Sequence, residues 1–194
     1  MKIHEPTNGV LHAPSGSPQE PSGLKTAGIA VVVEFLALYP DLEAGLGDLF
    51  EALKANGDEE FFHPHPLTRQ EAGRRCSCRG SDLYYAATCS GEVAAYGLLR
   101  GWEQGYEVPS LGIAVSPAYR GRGLARPFMV FLHAAAHLRG APSIRLTVYQ
   151  SNTRAKELYR SLGYTFERLD GKQLIGRLDL SPGGEFASRR PESL

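Results

Sequence analysis

The sequence predicts an α/β protein built on one mixed sheet, and three observations carry that prediction. Strand-like runs at Asp82 to Cys89, Glu92 to Arg100 and Glu107 to Val115 follow one another across short turns, which is the pattern of an antiparallel meander. A helical pattern from about Leu124 to Arg139 then separates the last of these runs from another at Ser143 to Tyr149, so those two strands pair in parallel through a right-handed crossover. Near the end, Asp170-Gly171 stands between two further apolar runs and is the strongest two-residue hairpin signal in the chain. About seven strands and about four helices result when the remaining segments are added.

Taken in order, Met1 to about Gly23 is rich in Pro, Gly and Ser with no apolar periodicity, and a mobile tail is expected over residues 1–25. Ile29 to Phe35 is β-branched and reads as a buried strand. Leu42, Leu46, Leu49, Phe50 and Leu53 recur at helical spacing; Asp41 is placed to cap this helix and Asn56-Gly57 to stop it. In Phe61 to Leu67 two prolines forbid regular pairing and fix an extended path. That loop either presents His63 and His65 to a ligand or is a packed connector that its prolines stiffen. Thr68 then caps a short polar helix reaching about Cys76.

Ser90-Gly91 makes the first hairpin tight, and Gly101 to Tyr106 forms a loop holding the only Trp. The crossover helix carries Leu124, Phe128, Phe131, Leu132, Ala135 and Leu138 as its apolar stripe, with Pro127 tolerated in the first turn. His133 and His137 lie four apart, a spacing that can bind zinc, but the residues between them are alanines, so a solvated face is expected. Asn152 caps a last helix bearing Ala155, Leu158, Tyr159 and Leu162 on one face, and Gly163 ends it. One domain over residues 26–181 and a C-terminal tail over 182–194 are expected.

Composition narrows the function. With 194 residues, 42% hydrophobic and 22% charged, the chain suits a single globular domain. Twenty-one basic residues balance 21 acidic ones, so no global field favours nucleic acid or an anionic membrane. Any anion site must be local. Cys76, Cys78 and Cys89 read as reduced thiols, and Cys76-Ser-Cys78 lacks a second pair to complete a zinc set, so no metal is expected. Neither a signal-like N-terminus nor a membrane-length apolar run is present, and a cytoplasmic protein is expected.

The local anion site is legible at Leu111 to Ala125, LGIAVSPAYRGRGLA. A strand fixes the entry direction, Gly121 and Gly123 let main chain approach a ligand closely, and the first N–H groups of the following helix lie at the positive end of its dipole. Charge-assisted contacts from Arg120 or Arg122 add to those amides.

This segment, with the element order around it, resembles the GNAT superfamily of acyl-CoA-dependent N-acetyltransferases. The family's coenzyme motif of Arg or Gln, two residues, Gly, one residue, then Gly or Ala is complete at Arg120, Gly123 and Ala125. The later segment from Asn152 through Tyr159 to Gly163-Tyr164 resembles its second signature. The resemblance covers about Ala27 to Leu180 and implies a GNAT fold with acetyl-CoA as cosubstrate. It implies that the CoA diphosphate sits on the amides of Gly121, Arg122, Gly123, Leu124 and Ala125, close to Asn152, and that the pantetheine arm pairs with Ile113, Ala114 and Val115. Tyr159 is implied near the sulfur as hydrogen-bond donor or general acid, although its place on the apolar stripe also fits a core aromatic.

Glu107 and Glu103 are the carboxylates expected where an amine is received, with His63 and His65 as alternatives near neutral pH; Glu107 is the base the sequence favours. The acceptor surface is expected from Phe61 to Leu67 and Arg100 to Tyr106, including Trp102, whose aromatic rings and polar groups suit a sugar or other polar ring. Three functions stay open: a small-molecule N-acetyltransferase acting on an amine such as an amino sugar, a protein or peptide N-acetyltransferase, and an acyl-CoA-binding module without catalysis. Oligomeric state is not readable from the residues, although members of the superfamily are often dimers, so a homodimer stands as the resemblance's implication.

Overall fold

The computed structural model describes residues 31–168 and 171–181. The expected tails, the residues before Val31 and the Asp170 of the second hairpin lie outside the described residues.

Among the described residues, seven strands form one sheet in the order β1-β2-β3-β4-β5-β7-β6. They are β1 (Val33–Ala37), β2 (Leu83–Cys89), β3 (Glu92–Arg100), β4 (Ser110–Val115), β5 (Ser143–Tyr149), β6 (Thr165–Arg168) and β7 (Gln173–Asp179). Every neighbouring pair is antiparallel except β4 and β5, the pair bridged by the crossover helix. Four helices accompany them: α1 (Glu43–Ala55), α2 (Arg69–Cys76), α3 (Ala125–Leu138) and α4 (Thr153–Ser161).

The helices divide the core in two. Leu46, Leu49, Phe50 and Leu53 of α1, with Ala72 of α2, pack on Tyr84, Ala86, Tyr96, Leu98 and Ala114 of one sheet face. Phe128, Met129 and Leu132 of α3 and Tyr159 of α4 pack on Ala95, Leu99, Leu111, Ile144 and Leu146 of the other. Strand alternation produces both sets from the same strands, because successive side chains point to opposite faces.

Local chemistry accounts for the boundaries. Ser90 at φ 50° and Gly91 at φ 87° give the two positive values that a type I′ hairpin turn requires. Thr68 Oγ1 accepts the Glu71 N–H at 3.1 Å and caps α2; Asn152 Oδ1 accepts the Ala155 N–H at 3.2 Å and caps α4. Gly57 and Gly163 take left-handed conformations past the ends of α1 and α4.

Five expectations are corrected. Val31 and Val32 lie outside the first strand, which runs from Val33 to Ala37 and is an edge strand with Val33 46% exposed, because β-branched residues report extended backbone rather than burial. Asp41 does not cap α1: it lies in a 3-10 turn at Pro40–Leu42, and Leu42 is the cap residue with no side-chain hydrogen bond. On α3, Leu138 is 86% exposed while Met129, Ala136 and His133 are buried, so the stripe is rotated from the one predicted. His133 is therefore a core residue, its Nε2 2.9 Å from the Tyr164 hydroxyl, and not part of a solvated face. Finally, β4 starts at Ser110, leaving Glu107 in the bend before it.

Candidate functional site

β4 and β5 meet and then part. Their pairing consists of Ser110 opposite Arg145, supported by the Arg145 N–H on the Pro109 carbonyl at 3.0 Å. Beyond that rung the strands diverge, and a cleft of about 530 Å³ opens through the sheet toward the C-terminal end of β4. Leu111 to Val115, Thr147 to Tyr149, Tyr159 and the turn leading into α3 line it.

The β3–β4 register decides which main-chain groups face this cleft. Ser116 N–H bonds the Ala94 carbonyl at 2.9 Å, and Tyr96 stands opposite Ala114 two residues further on. Antiparallel strands alternate, so the N–H and C=O of Gly112 and Ala114 turn toward β3 while those of Ile113 and Val115 turn toward the cleft. Of the three residues expected to receive an extended ligand arm, Ala114 contributes its buried side chain rather than its polar main chain.

The turn after β4 is a cradle of amides. Gly121 and Gly123 hold φ of 78° and 82°, and a Cβ added at either would meet nothing within 4 Å, so the space over them is open. The N–H groups of Gly121 to Arg126 find no main-chain acceptor among the described residues, and Leu124 at the start of α3 makes no side-chain cap. Six donors at the positive end of a 14-residue helix fit an anion such as the CoA diphosphate.

The arginines divide the labour differently from the expectation. Arg120 Nη2 lies 2.5 Å from Asp58 Oδ2 and its Nε donates to the Val115 carbonyl at 3.0 Å, so it pins the turn to the segment after α1. Arg122 is exposed and stacks over the Tyr119 ring at 5.2 Å. Arg126 and Arg154 also line the cleft and were not singled out in the sequence; their positions in the first turns of α3 and α4 were the available signal.

Tyr159 lies at the cleft's inner wall, 9% exposed, with Tyr164 packed behind it at 5.7 Å between ring centroids. Its hydroxyl bonds no described residue. Burial pushes the phenol up to about 12, so it holds its proton at neutral pH and is able to donate it. Asn152 lines the same wall, but its carboxamide oxygen is used in capping α4.

The expected acceptor residues separate. Phe61 and Phe62 line the cleft, and His63 reaches its rim through the Tyr149 ring at 6.1 Å, with Nδ1 3.0 Å from the Glu59 carbonyl. His65 turns into the fold: its Nδ1 donates to the Pro66 carbonyl at 3.0 Å, so Nε2 accepts from the Tyr96 hydroxyl at 3.0 Å, and burial lowers its pKa. Trp102 packs on the α3 side under the Arg139 guanidinium at 4.8 Å, away from the cleft. Glu103 and Glu107 line a second cavity of about 780 Å³ at the other end of β4, so neither carboxylate borders the cleft that holds Tyr159. Asp58 is the carboxylate that does, and Arg120 holds it.

Among the described residues no cluster of three or more His, Cys, Asp or Glu could hold a metal ion, and no helix is long and apolar enough to cross a membrane. Cys76 and Cys89 are buried free thiols and Cys78 is partly exposed.

Comparison with known proteins gives the same picture. An acetyltransferase of Sodalis glossinidius (strain morsitans) is 33% identical over 96 residues, a match that takes in 50% of this chain and 65% of that protein's length. The GNAT domain of S. lividans PAT superposes with a TM-score of 0.66 at 21% identity, covering 78% of this chain and 96% of that one. PaiA N-acetyltransferase from Thermoplasma acidophilum, solved in complex with coenzyme A, superposes at 0.62 with 16% identity over 76% of this chain and 99% of that one. At these identities the two structures speak to fold. The sequence profile of the acetyltransferase (GNAT) family matches residues 48–164, more than half of the chain, running from within α1 through the diverging strands and α4, so the chain belongs to that family.

Proposed function

We propose that the protein transfers an acetyl group from acetyl-CoA to a primary amine of a small polar molecule. The observation that carries this reading is the single β4–β5 rung, beyond which cleft-facing main-chain groups, an amide cradle and a proton-bearing tyrosine share one cleft. Acetyl-CoA would supply the activated acetyl thioester.

The chain's own groups then have definite tasks. Amides of Gly121 to Arg126, aided by the exposed guanidiniums of Arg122, Arg126 and Arg154, hold the diphosphate end. Ile113 and Val115 offer the outward main-chain groups along which an extended arm pairs, and an N–H of this strand stabilises the oxyanion, a contribution of about 10²–10³ in rate for one such donor. Tyr159 donates its proton to the departing thiolate and is reprotonated from the solvent that takes up the proton of the attacking amine. With Asp58 held by Arg120, no free carboxylate among the described residues borders the cleft, so the amine reacts in its neutral form and releases its proton to water at the mouth.

Phe61, Phe62, His63 and Tyr149 form the acceptor mouth on the α1–α2 side of the sheet. Apolar ring faces and a nearby imidazole suit a polar ring such as an amino sugar. Thiol release from acetyl-CoA across amino sugars, small amines and peptides tests the reading: release with small amines well above that with peptides is expected. Greater release with peptides would make the protein a peptide acetyltransferase, and stabilisation by CoA without thiol release from any acceptor would leave a binding module.

A further inference from the structure

The second cavity lies on the other side of the Ser110–Arg145 rung, on the sheet face that α1 and α2 leave uncovered beyond β4. Its floor contains a pairing that sheets avoid. Arg145 of β5 stands directly opposite Arg177 of β7, and like charges at such positions repel. Arg100 of β3 lines the same cavity. Among the described residues, none of these three guanidiniums forms an ion pair.

Two of the three are nevertheless aimed. Arg145 Nε donates to Ser110 Oγ at 2.7 Å and Arg100 Nη1 to the Pro64 carbonyl at 2.9 Å, leaving their other N–H groups for the cavity. Tyr84 accepts from Arg75 Nη1 at 2.7 Å, so its own hydroxyl proton is free to donate. Of the described acidic residues nearby, Glu71 alone is held in an ion pair. Glu71 neutralises Arg75, Asp82 Oδ1 accepts the Gly101 and Glu103 N–H groups, and the Glu103 carboxylate lies over Gly80. Asp82, Glu103 and Glu107 also line the cavity, but among the described residues none of them forms an ion pair with Arg100, Arg145 or Arg177.

We infer that this cavity binds an anionic group, carboxylate or phosphate, carried by the amine acceptor itself. The inference rests on the proposed acetyl transfer and narrows its substrate class. Arg145 and Thr147 share one face of β5 two residues apart, roughly 7 Å, and Thr147 borders the cleft. The acceptor is thus an amine with an anionic group at about that distance, its amine at the cleft mouth and its anion on the Arg145–Arg177 pair.

The test is an acceptor comparison in matched pairs: aminovalerate against its amide, and aminopropyl phosphate against aminopropanol. The expected result is a kcat/KM at least about ten-fold higher for the charged member of one pair, the preference falling about ten-fold in R145Q/R177Q, in keeping with charge-assisted hydrogen bonds. The pair with the larger preference identifies the anion. Equal values within both pairs, or a preference that survives in R145Q/R177Q, would overturn the inference while leaving acetyl transfer standing. If no acceptor releases thiol, the functional reading fails, and calorimetric titration with succinate and inorganic phosphate decides the anion site alone: saturable binding weakened about ten-fold in R145Q/R177Q supports it, and equal binding sinks it. An unchanged stabilisation by CoA shows that the double variant is folded.

Discussion

The two cavities at the ends of β4 solve similar problems with different parts of the chain. The cleft beyond Val115 is made of main chain: glycines with positive φ, helix-start amides and the outward groups of a diverging strand. The basin before Ser110 is made of long side chains from β3, β5 and β7. Main-chain donors are fixed by the fold and cannot be removed by most substitutions, whereas an arginine cluster can be exchanged one residue at a time without disturbing the sheet. Features common to the chemistry belong in the first and features particular to one acceptor in the second.

Breaking the cleft has the larger consequences. Tyr159→Phe keeps the ring that packs on Tyr164 and removes only the hydroxyl, so turnover falls about 10²–10³ while the Kd for CoA, read by calorimetry, changes little. Equal turnover would return Tyr159 to the core.

Acid acts on the same wall. Burial holds the His133 imidazole down at about 4, and this residue supports Tyr164 behind Tyr159. Because the folded value lies below the unfolded one near 6.5, the stability is present above pH 6.5 and lost as the pH falls toward 4, about 3 kcal/mol in all. His65, also lowered by burial, adds with the same sign. Urea unfolding between those pH values should show a shallower loss in His133→Gln than in the wild type; parallel curves would remove His133 from the acid response.

At Gly123 the backbone carries the effect. A valine there faces open space but a φ of 82°, a strain of about 1–3 kcal/mol that also fills the cradle. CoA should bind about thirty-fold more weakly, with the anion preference of the basin intact. Loss of both together would mean that the two cavities are not independent.

The smallest effect is expected at Glu107. Since it lines the basin and not the cleft, Glu107→Gln should retain the acidic limb of the pH–rate profile and, by removing a negative charge beside the arginines, favour charged acceptors slightly. A lost limb would restore Glu107 as the base.

Much of the architecture was legible because it is local. Thr68 and Asn152 cap helices through side chains three residues from their partners, and Ser90-Gly91 turns a hairpin by its own φ values. The amide cradle was legible for the same reason, since positive φ is written as glycine. Burial was not. Leu138 and His133 exchanged their expected places because a helix rotated by a fraction of a turn presents a different stripe, and only packing on the sheet chooses between them. Trp102 and His65 looked like acceptor residues by type, yet one stacks under Arg139 and the other bonds Tyr96.

By itself, then, the sequence determined the element order, the mixed sheet and the glycine-rich turn opening into α3, because each depends on residues near one another in the chain. Tertiary structure alone decided that β4 and β5 share a single rung, that Tyr159 faces the gap this leaves, and that Arg100, Arg145 and Arg177 converge at its far side. Those three arginines stand on strands adjoining one another only after the crossover places β5 beside β4 and β7 beside β5. A long-range pairing register carries no local mark, and the groups it brings together become a site only when the sheet is complete.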